Sequence, residues 1–441
     1  MGRTPKSNHV SLYLGASLMV LAGASSALAG GFALREQSAF YQGMSFAGAA
    51  AGDHLSSMFW NSAATASLEG INTSSTATLI LPYGKVHVDD VELGPNDGIP
   101  GASIGGFDTA GTNSGDIAPA ALSGASYGSY QLSDKLFVGM AINGPFGLVT
   151  KPEDSHYQGS VIARTAKLFT ANANPTVAYK LTPNLSVGAG AQIEWAEGTF
   201  KFATLSPAAE TTGFQGDGWA FGATAGVLWQ TPGTSIGLGW RSQLTHTLEG
   251  TFKTQATTVP IVLANGTVVP LQVPANSIRS EVDVELPDIV TLSFRQTLSP
   301  ATRLLGTVEW TNWSRFQKLE VTAQGNTIAL IEANWSDGWF FSTGLEYDWS
   351  PDVTLRSGVA YEISPIDDPT KRLISIPDSD RVWLSAGLTY DYSADTTLDF
   401  GATYIYLEDS EFDRTSANDV RVLGDIEAHT FILAAAVNTR W

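Results

Sequence analysis

The chain has 441 residues, sets 43 acidic against 24 basic side chains for a formal charge of -19, and contains no cysteine. That acidity repels nucleic acid and anionic lipid head groups, so neither is a general partner, and without thiols neither a disulfide scaffold nor a thiolate metal site can form. Charged residues make up only 15%, well under the ~25% of ordinary soluble domains.

Arg3 and Lys6 precede an apolar stretch from about Val10 to Ala24 that ends in Ala27-Leu28-Ala29 before Gly30. This is the layout of a cleaved secretory signal peptide over residues 1–29. The stretch is short for the ~20 residues of a spanning helix and rich in Gly, Ser and Ala. The mature chain is expected to begin at Gly30. No later apolar run reaches the length of a membrane helix, so a mature protein in a membrane must close as a barrel to satisfy its backbone.

Residues 30–70 show no strand pattern. Small residues dominate Gly43 to Gly52, with Phe32, Phe40, Tyr41, Phe46, Phe59 and Trp60 scattered around them. Disordered tails are poor in aromatics, so this segment is expected to be an N-terminal hatch that plugs the lumen of a barrel too wide for its own side chains to fill.

From residue 71 to 441 a period of two takes over. It runs through Leu185, Val187, Ala189, Ala191, Ile193 and Trp195, through Trp335, Trp339, Phe341, Leu345, Tyr347 and Trp349, and through Val382, Leu384, Leu388, Tyr390 and Tyr392. Tight corners fall at Leu132 to Lys135, Leu181 to Asn184, Thr231 to Thr234, Leu298 to Ala301, Ser350 to Asp352 and Tyr392 to Asp395, where Pro, Asp, Asn, Ser and Gly pre-set turn dihedrals. Longer connections are expected near 84–116, 150–163, 204–216, 255–280, 324–334, 365–380 and 409–424. Such alternation implies an all-β, transmembrane antiparallel barrel of about 14 strands, with short turns and both mature termini on the periplasmic side of a bacterial outer membrane. The last strand, Phe431 to Trp441, ends on an aromatic at the inner rim, where the barrel assembly machinery would read it.

The inward-facing series is poor in cations: Ser186, Gly188, Gly190, Gln192 and Glu194 on one strand, Gly338, Phe340 and Gly344 on another. Trp383 lies on the polar face between Arg381 and Ser385. Small and apolar groups with a few polar anchors suit a pocket for a greasy ligand better than the charged constriction of an aqueous porin. Pro145 cannot donate a ladder bond and Gly144 and Gly147 weaken pairing, so the wall at Gly144-Pro145-Phe146-Gly147 is expected to bulge or part, or else to be a strand end entering the next loop.

Four strings give the chain a resemblance: Asn143 to Leu148, Asn174 to Leu181 with Leu185 to Gly190, Val308 to Phe316, and Ile376 to Gly387. The chain resembles the FadL/TodX family of outer-membrane transporters of long-chain fatty acids and other hydrophobic compounds. The resemblance implies a fourteen-stranded barrel plugged by an N-terminal hatch. In such a protein an apolar ligand lands on an outer groove, enters an internal pocket and leaves sideways into the membrane through a kinked strand, here Gly144 to Gly147. It also implies that Gly30, Gly31 and Phe32 line the ligand pocket and that Asn61-Ser62-Ala63 is the hatch turn, with serine where the family has proline. Lys201 aligns with a basic pocket residue of the fatty-acid members. The second basic position falls on Glu320, with Lys318 two residues away, which leaves aromatic or alkane hydrocarbons open beside fatty acids. A monomer is implied by the resemblance alone, as are contacts with outer-membrane lipid and lipopolysaccharide.

Two other classes are weighed. An outer-membrane lipid hydrolase needs a catalytic constellation, but His54, His87, His156, His246 and His429 lie in no catalytic motif. A general porin needs an open lumen. No enzyme activity, cofactor or metal is expected. The acids of the outer loops, Asp89, Asp90, Glu92 and Asp97 and again Glu408, Asp409, Glu411 and Asp413, read as a solvated surface.

Overall fold

The computed structural model describes residues 30–93, 102–416 and 419–441; the expected signal peptide lies outside the described residues. Twenty-one segments join into a single sheet, several of them collinear pieces separated by a kink, so that they make fourteen strands. The first half holds β1 (Ile71–Leu93), the two-piece β2 (Asn113–Asp116 and Ala121–Gln131), the two-piece β3 (Leu136–Asn143 and Gly147–Thr150), β4 (Thr165–Thr182), β5 (Leu185–Ala203), β6 (Thr211–Gln230) and β7 (Thr234–Arg241 and Leu244–Thr254). Then follow β8 (Asn276–Leu286 and Ile289–Ser299), β9 (Thr302–Thr311 and Lys318–Ala323), β10 (Asn326–Glu332 and Gly338–Ser350) and β11 (Val353–Ile363). The last are β12 (Arg381–Ser393), β13 (Thr396–Leu407 and Ser410–Thr415) and β14 (Val420–Arg440).

Each strand pairs antiparallel with the next, and β14 pairs back onto β1 from Asn72↔Arg440 to Leu93↔Val420, so the sheet closes and leaves no edge. The alternation of the sequence is what permits this. On β14, Ile426, Ile432, Ala434 and Ala436 are buried inside while Phe431, Leu433 and Val437 are exposed outside. An apolar outer belt, ringed by Trp339, Phe341 and Tyr361 towards one end and Tyr347, Trp349, Tyr390 and Tyr392 towards the other, is the surface a bilayer wets.

All six expected corners are strand junctions at one end of the barrel. The opposite end differs from expectation, because the strands run on past the apolar belt. Thus 324–334 is not a loop: Gln324 and Gly325, with φ of 51° and 79°, form a two-residue hairpin turn, and Asn326–Glu332 continues as strand. Within 255–280, Thr257–Leu263 pairs with Val268–Val273 and with Ala102–Ile104 as a small three-stranded sheet. The parity also breaks at 333–337. Trp335, expected on the outer face, points inside and is 2% exposed.

Residues 30–68 fill the lumen. They include a single helical turn, Ala39–Gln42, and two 3-10 turns, Leu55–Phe59 and Ser62–Ala66, each capped by the preceding side chain of Ser38, His54 or Asn61. Wall glycines seat this segment. A methyl at Gly226, Gly237 or Gly239 would strike Asn61, the Ala50 carbonyl or the Trp60 carbonyl; Gly188 backs onto Ser62 and Gly358 onto Met44. The small inward residues read above as a ligand surface are thus in large part the places where the plug backbone touches the wall.

Candidate functional site

The first residues of the plug are held on two sides. On one, Gly31 donates its backbone N–H to Asp378 Oδ2 at 2.9 Å; Asp378 also accepts from Ser364 Oγ at 2.9 Å and is ion-paired with Arg381. Buried Arg35 is paired with Glu309 and, at 3.0 Å, with Glu362, and its guanidinium lies 4.0 Å from the centre of the Phe340 ring. Removing one partner of such a buried pair costs roughly 3–5 kcal/mol because the other charge is stranded.

On the other side the same residues patch a break in the wall. Leu34 donates its N–H to the Pro145 carbonyl at 2.8 Å and Gly147 donates to the Phe32 carbonyl at 2.9 Å, which bridges Ala33 to Phe146 antiparallel. Gln37 Nε2 donates to the Gly144 carbonyl at 2.8 Å. Pro145 has no N–H to offer the sheet, and the β3–β4 register slips by one residue across it: Asn143 faces Asn172, whereas Gly147 faces Phe169. On the opposite edge of β3, pairing with β2 ends at Ser126↔Ile142, and beyond it Ala121 to Ala125 pair with β1. Backbone contact resumes where Lys151 donates to the Ile117 carbonyl at 2.8 Å. Between these limits the wall is parted, with residues 32–37 lying against its inner face.

Phe32 is 2% exposed and packs edge-on against Trp313, Phe316 and Phe146 at centroid distances of 4.6, 5.3 and 6.3 Å, with Trp335 tilted at 5.9 Å. Pairs of this kind contribute about 0.5–1.5 kcal/mol each beyond the area they bury. The local 3-10 turn Trp313–Arg315 interrupts β9 and turns Trp313 and Phe316 inward. Next to Phe32 opens an apolar cleft lined by Leu148, Leu168, Leu248, Val284, Phe316 and Ile376, among others. Its cavity volume is about 70 Å³, room for about two waters against the ~300 Å³ and more of usual ligand sites. The cleft is therefore too small for such a ligand as it stands, and Phe32 forms part of its wall.

The structure brings Gly30, Gly31 and Phe32 together with Gly144, Pro145, Phe146 and Gly147 at the cleft and the parted wall. Asn61, Ser62 and Ala63 lie deeper. Asn61 Oδ1 accepts from Ala63 N at 3.0 Å, its Nδ2 donates to the Ala50 and Val227 carbonyls at 2.8 and 3.0 Å, and Ser62 Oγ donates to Thr224 Oγ1 at 2.6 Å. The turn that lacks proline is thus fixed by side-chain bonds instead. Trp383 is buried but elsewhere: it packs edge-on against Phe46 and Phe340 at 6.0 and 5.8 Å and donates Nε1–H to Glu362 Oε2 at 3.2 Å, so it supports the plug and does not line the cleft. Lys201 is exposed in a separate polar depression with Lys151, Arg164 and Glu210, because the outward parity of β5 turns it away. Lys318 and Glu320 pair with each other on the surface of β9. Lys167 borders the cleft, but it too lies on the outward parity of its strand, 3.4 Å from Glu197.

Sequence reasoning missed Arg35, Glu309, Glu362 and Asp378, although Glu309 and Asp378 fall in the strings that carried the resemblance. Glu92 and Asp413, expected in outer loops, lie instead on the extended ends of β1 and β13 and are bound by Arg421 at 3.0 and 2.6 Å, whose hydrogen bond holds the Asp413 carboxyl below the usual carboxylate range. Among the described residues no group of three or more acidic or histidine side chains is arranged to hold a metal ion.

The profile of the family described as "Outer membrane protein transport protein (OMPP1/FadL/TodX)" matches residues 20–441. An outer-membrane protein of Neisseria meningitidis serogroup B is 27% identical over 90% of this chain and 91% of its own length. A long-chain fatty acid transport protein of Escherichia coli O6:H1 is also 27% identical, over 68% and 71%. In fold the chain is like a FadL homologue of Pseudomonas aeruginosa, with a TM-score of 0.79 and 19% identity over 93% of this chain and 99% of that one. It is also like the toluene transporter TodX of Pseudomonas putida, at 0.65 and 15% over 94% and 100%. A closed, plugged, fourteen-stranded barrel with an apolar belt and a profile match across the whole described length lead to one conclusion: the chain belongs to the OMPP1/FadL/TodX family of outer-membrane transport proteins.

Proposed function

We propose that the protein takes up long-chain fatty acids across the outer membrane by ligand-driven release of its own N-terminus. A ligand entering from the loop end settles in the apolar cleft and displaces Phe32, residues 32–37 let go of Gly144 to Gly147, and the ligand leaves sideways between β2 and β3 into the bilayer. A ligand can shift the plug only by binding the open arrangement more tightly than the closed one. A cleft that gains volume when Phe32 leaves has that property. The single observation that carries the reading is the double engagement of residues 32–34: the Phe32 side chain lines the cleft while the backbone of Phe32 to Leu34 closes the parted wall.

Both mature termini lie on the periplasmic side in this reading. Trp441, whose N–H donates to the Ile71 carbonyl at 2.9 Å, is the strand end offered to the assembly machinery, and a monomer sits among lipid and lipopolysaccharide. The test uses the absence of native cysteine. Ala33 and Phe146 form a non-hydrogen-bonded bridge pair, whose Cα atoms lie ~4.5 Å apart, within disulfide reach. A double cysteine variant at Ala33 and Phe146 should stop uptake when oxidised and restore it when reduced. Equal uptake in both states would overturn the release step.

Neutral hydrocarbons are the second reading. It is favoured by one observation, that Lys201 and Lys318 both lie outside the cleft.

A further inference from the structure

Below the apolar cleft, towards the tight-turn end, the inner wall changes character. Asn143 on β3 faces Asn172 on β4, which faces Glu194 on β5, so three polar side chains form one inward row across neighbouring strands. His246 of β7 completes it, its Nε2 3.1 Å from Glu194 Oε1, while Asn172 Nδ2 donates to Glu194 Oε2 at 2.9 Å. All four are 0–1% exposed. The row lies a few residues along each strand from Leu148, Leu168, Gly198 and Leu248, which line the cleft, and Asn143 directly precedes the break at Gly144.

A buried amide without partners is costly, roughly 1–3 kcal/mol per group. Yet both Nδ2 and Oδ1 of Asn143 and Oδ1 of Asn172 have no hydrogen-bond partner among the described residues. An unpaired primary amide presents a donor and an acceptor side by side. Its complement is a neutral carboxylic acid, whose C=O accepts from Nδ2–H while its O–H donates to Oδ1, closing a ring of two hydrogen bonds. A charged carboxylate fits less well: it offers Oδ1 no donor, and it would sit near the Glu194 carboxylate, where like charge disfavours the ionised form. A neutral acid is also the form that can enter hydrocarbon without stranding a charge.

We propose that Asn143, at the end of this row, is the head-group site of the exit step. It takes the protonated carboxyl of a ligand whose chain occupies the cleft and positions it at the mouth of the β2–β3 gap. The proposal rests on the transport reading above and narrows it to acids handed over in neutral form.

The test compares palmitic acid with hexadecane, which share a chain and differ in the head group. Transfer of each is measured in outer-membrane vesicles carrying wild-type protein, Asn143→Leu and Asn143→Gln. Folding is checked by heat-modifiable migration, and Asn143→Ala replaces the leucine variant if that fails to insert. Asn143→Leu should slow palmitic acid roughly tenfold, the worth of a lost hydrogen-bonded pair, leave hexadecane unchanged, and be partly rescued by Asn143→Gln. Unchanged palmitic acid transfer, or an equal fall for both compounds, overturns the head-group site alone. Wild-type vesicles that move neither compound overturn it together with the transport reading.

Discussion

Gly31 and Asp378 stand 347 positions apart in the chain and meet in one hydrogen bond of 2.9 Å inside the barrel. Through it the N-terminus of the plug reports on the long connection between β11 and β12, because Asp378 is held there by Ser364 and Arg381 and Arg372 Nε donates to its carbonyl at 2.9 Å. The plug is thus fastened to the loop side at Asp378 and to the wall break at Pro145. Release at either point frees the segment that carries Phe32.

Asp378→Asn keeps the shape of this anchor and removes its charge, which leaves the Arg381 guanidinium without its carboxylate partner at that position. Charge-assisted bonds contribute ~1.5–3 kcal/mol, so amide exchange of residues 30–37 should quicken by at least about tenfold while exchange in β1 and β14 stays put. Exchange that does not change in 30–37 would show the segment to be held by Arg35 and the wall break alone.

Deletion of Pro145 should heal the wall. The one-residue slip between Asn143↔Asn172 and Gly147↔Phe169 is what a bulge inserts, and removing one residue restores a single register along β3. A continuous β3 can then pair with β2 past Ile142. The prediction is a folded, heat-modifiable barrel with uptake of palmitic acid lost; retained uptake would place the exit elsewhere.

Gly239→Ala tests the seating of the plug. The added methyl meets the Trp60 carbonyl on the opposite side of the contact, and overpacking of this sort costs ~1–3 kcal/mol. Gly239 lies in a regular strand, so the barrel itself should still close. The expected signature is a rise in ionic conductance across planar bilayers as the plug shifts, with the heat-modifiable band unchanged. A variant as tight as the wild type would mean that the plug yields locally at Trp60.

The barrel was legible because strands and tight corners are local: alternation along β5 or β12 and Pro or Gly at the turns need only neighbouring residues. The long-loop end was misread at 324–334 because polar residues above a bilayer look the same in strand and loop, and Gln324-Gly325 is a two-residue signal easily lost among them. The inside was legible only in part. Glycines at 188, 226 and 239 show that something approaches the wall closely, but whether a ligand or the chain's own N-terminus does so depends on contacts more than a hundred residues apart. Arg35 with Glu309 and Glu362 has no local pattern at all, and Trp335 was placed outside because a period of two cannot foresee a kink.

Lys201 separates what family alignment implies from what this geometry supports. If its ammonium held a ligand carboxylate, Lys201→Ala would remove a charge-assisted bond and weaken palmitic acid binding by roughly tenfold or more. Here Lys201 lies on the outward parity of β5, exposed, beside Lys151, Arg164 and Glu210 and apart from the cleft, where water screens its charge. Lys201→Ala should therefore leave palmitic acid affinity within about twofold of wild type. Phe32→Ala should change it far more, because it enlarges the cleft and removes four aromatic contacts from the segment whose release is proposed above. Equilibrium binding of radiolabelled palmitic acid to the detergent-purified protein and its two variants checks both expectations. A tenfold loss in Lys201→Ala with Phe32→Ala unaffected would move the pocket to the exposed side of β5.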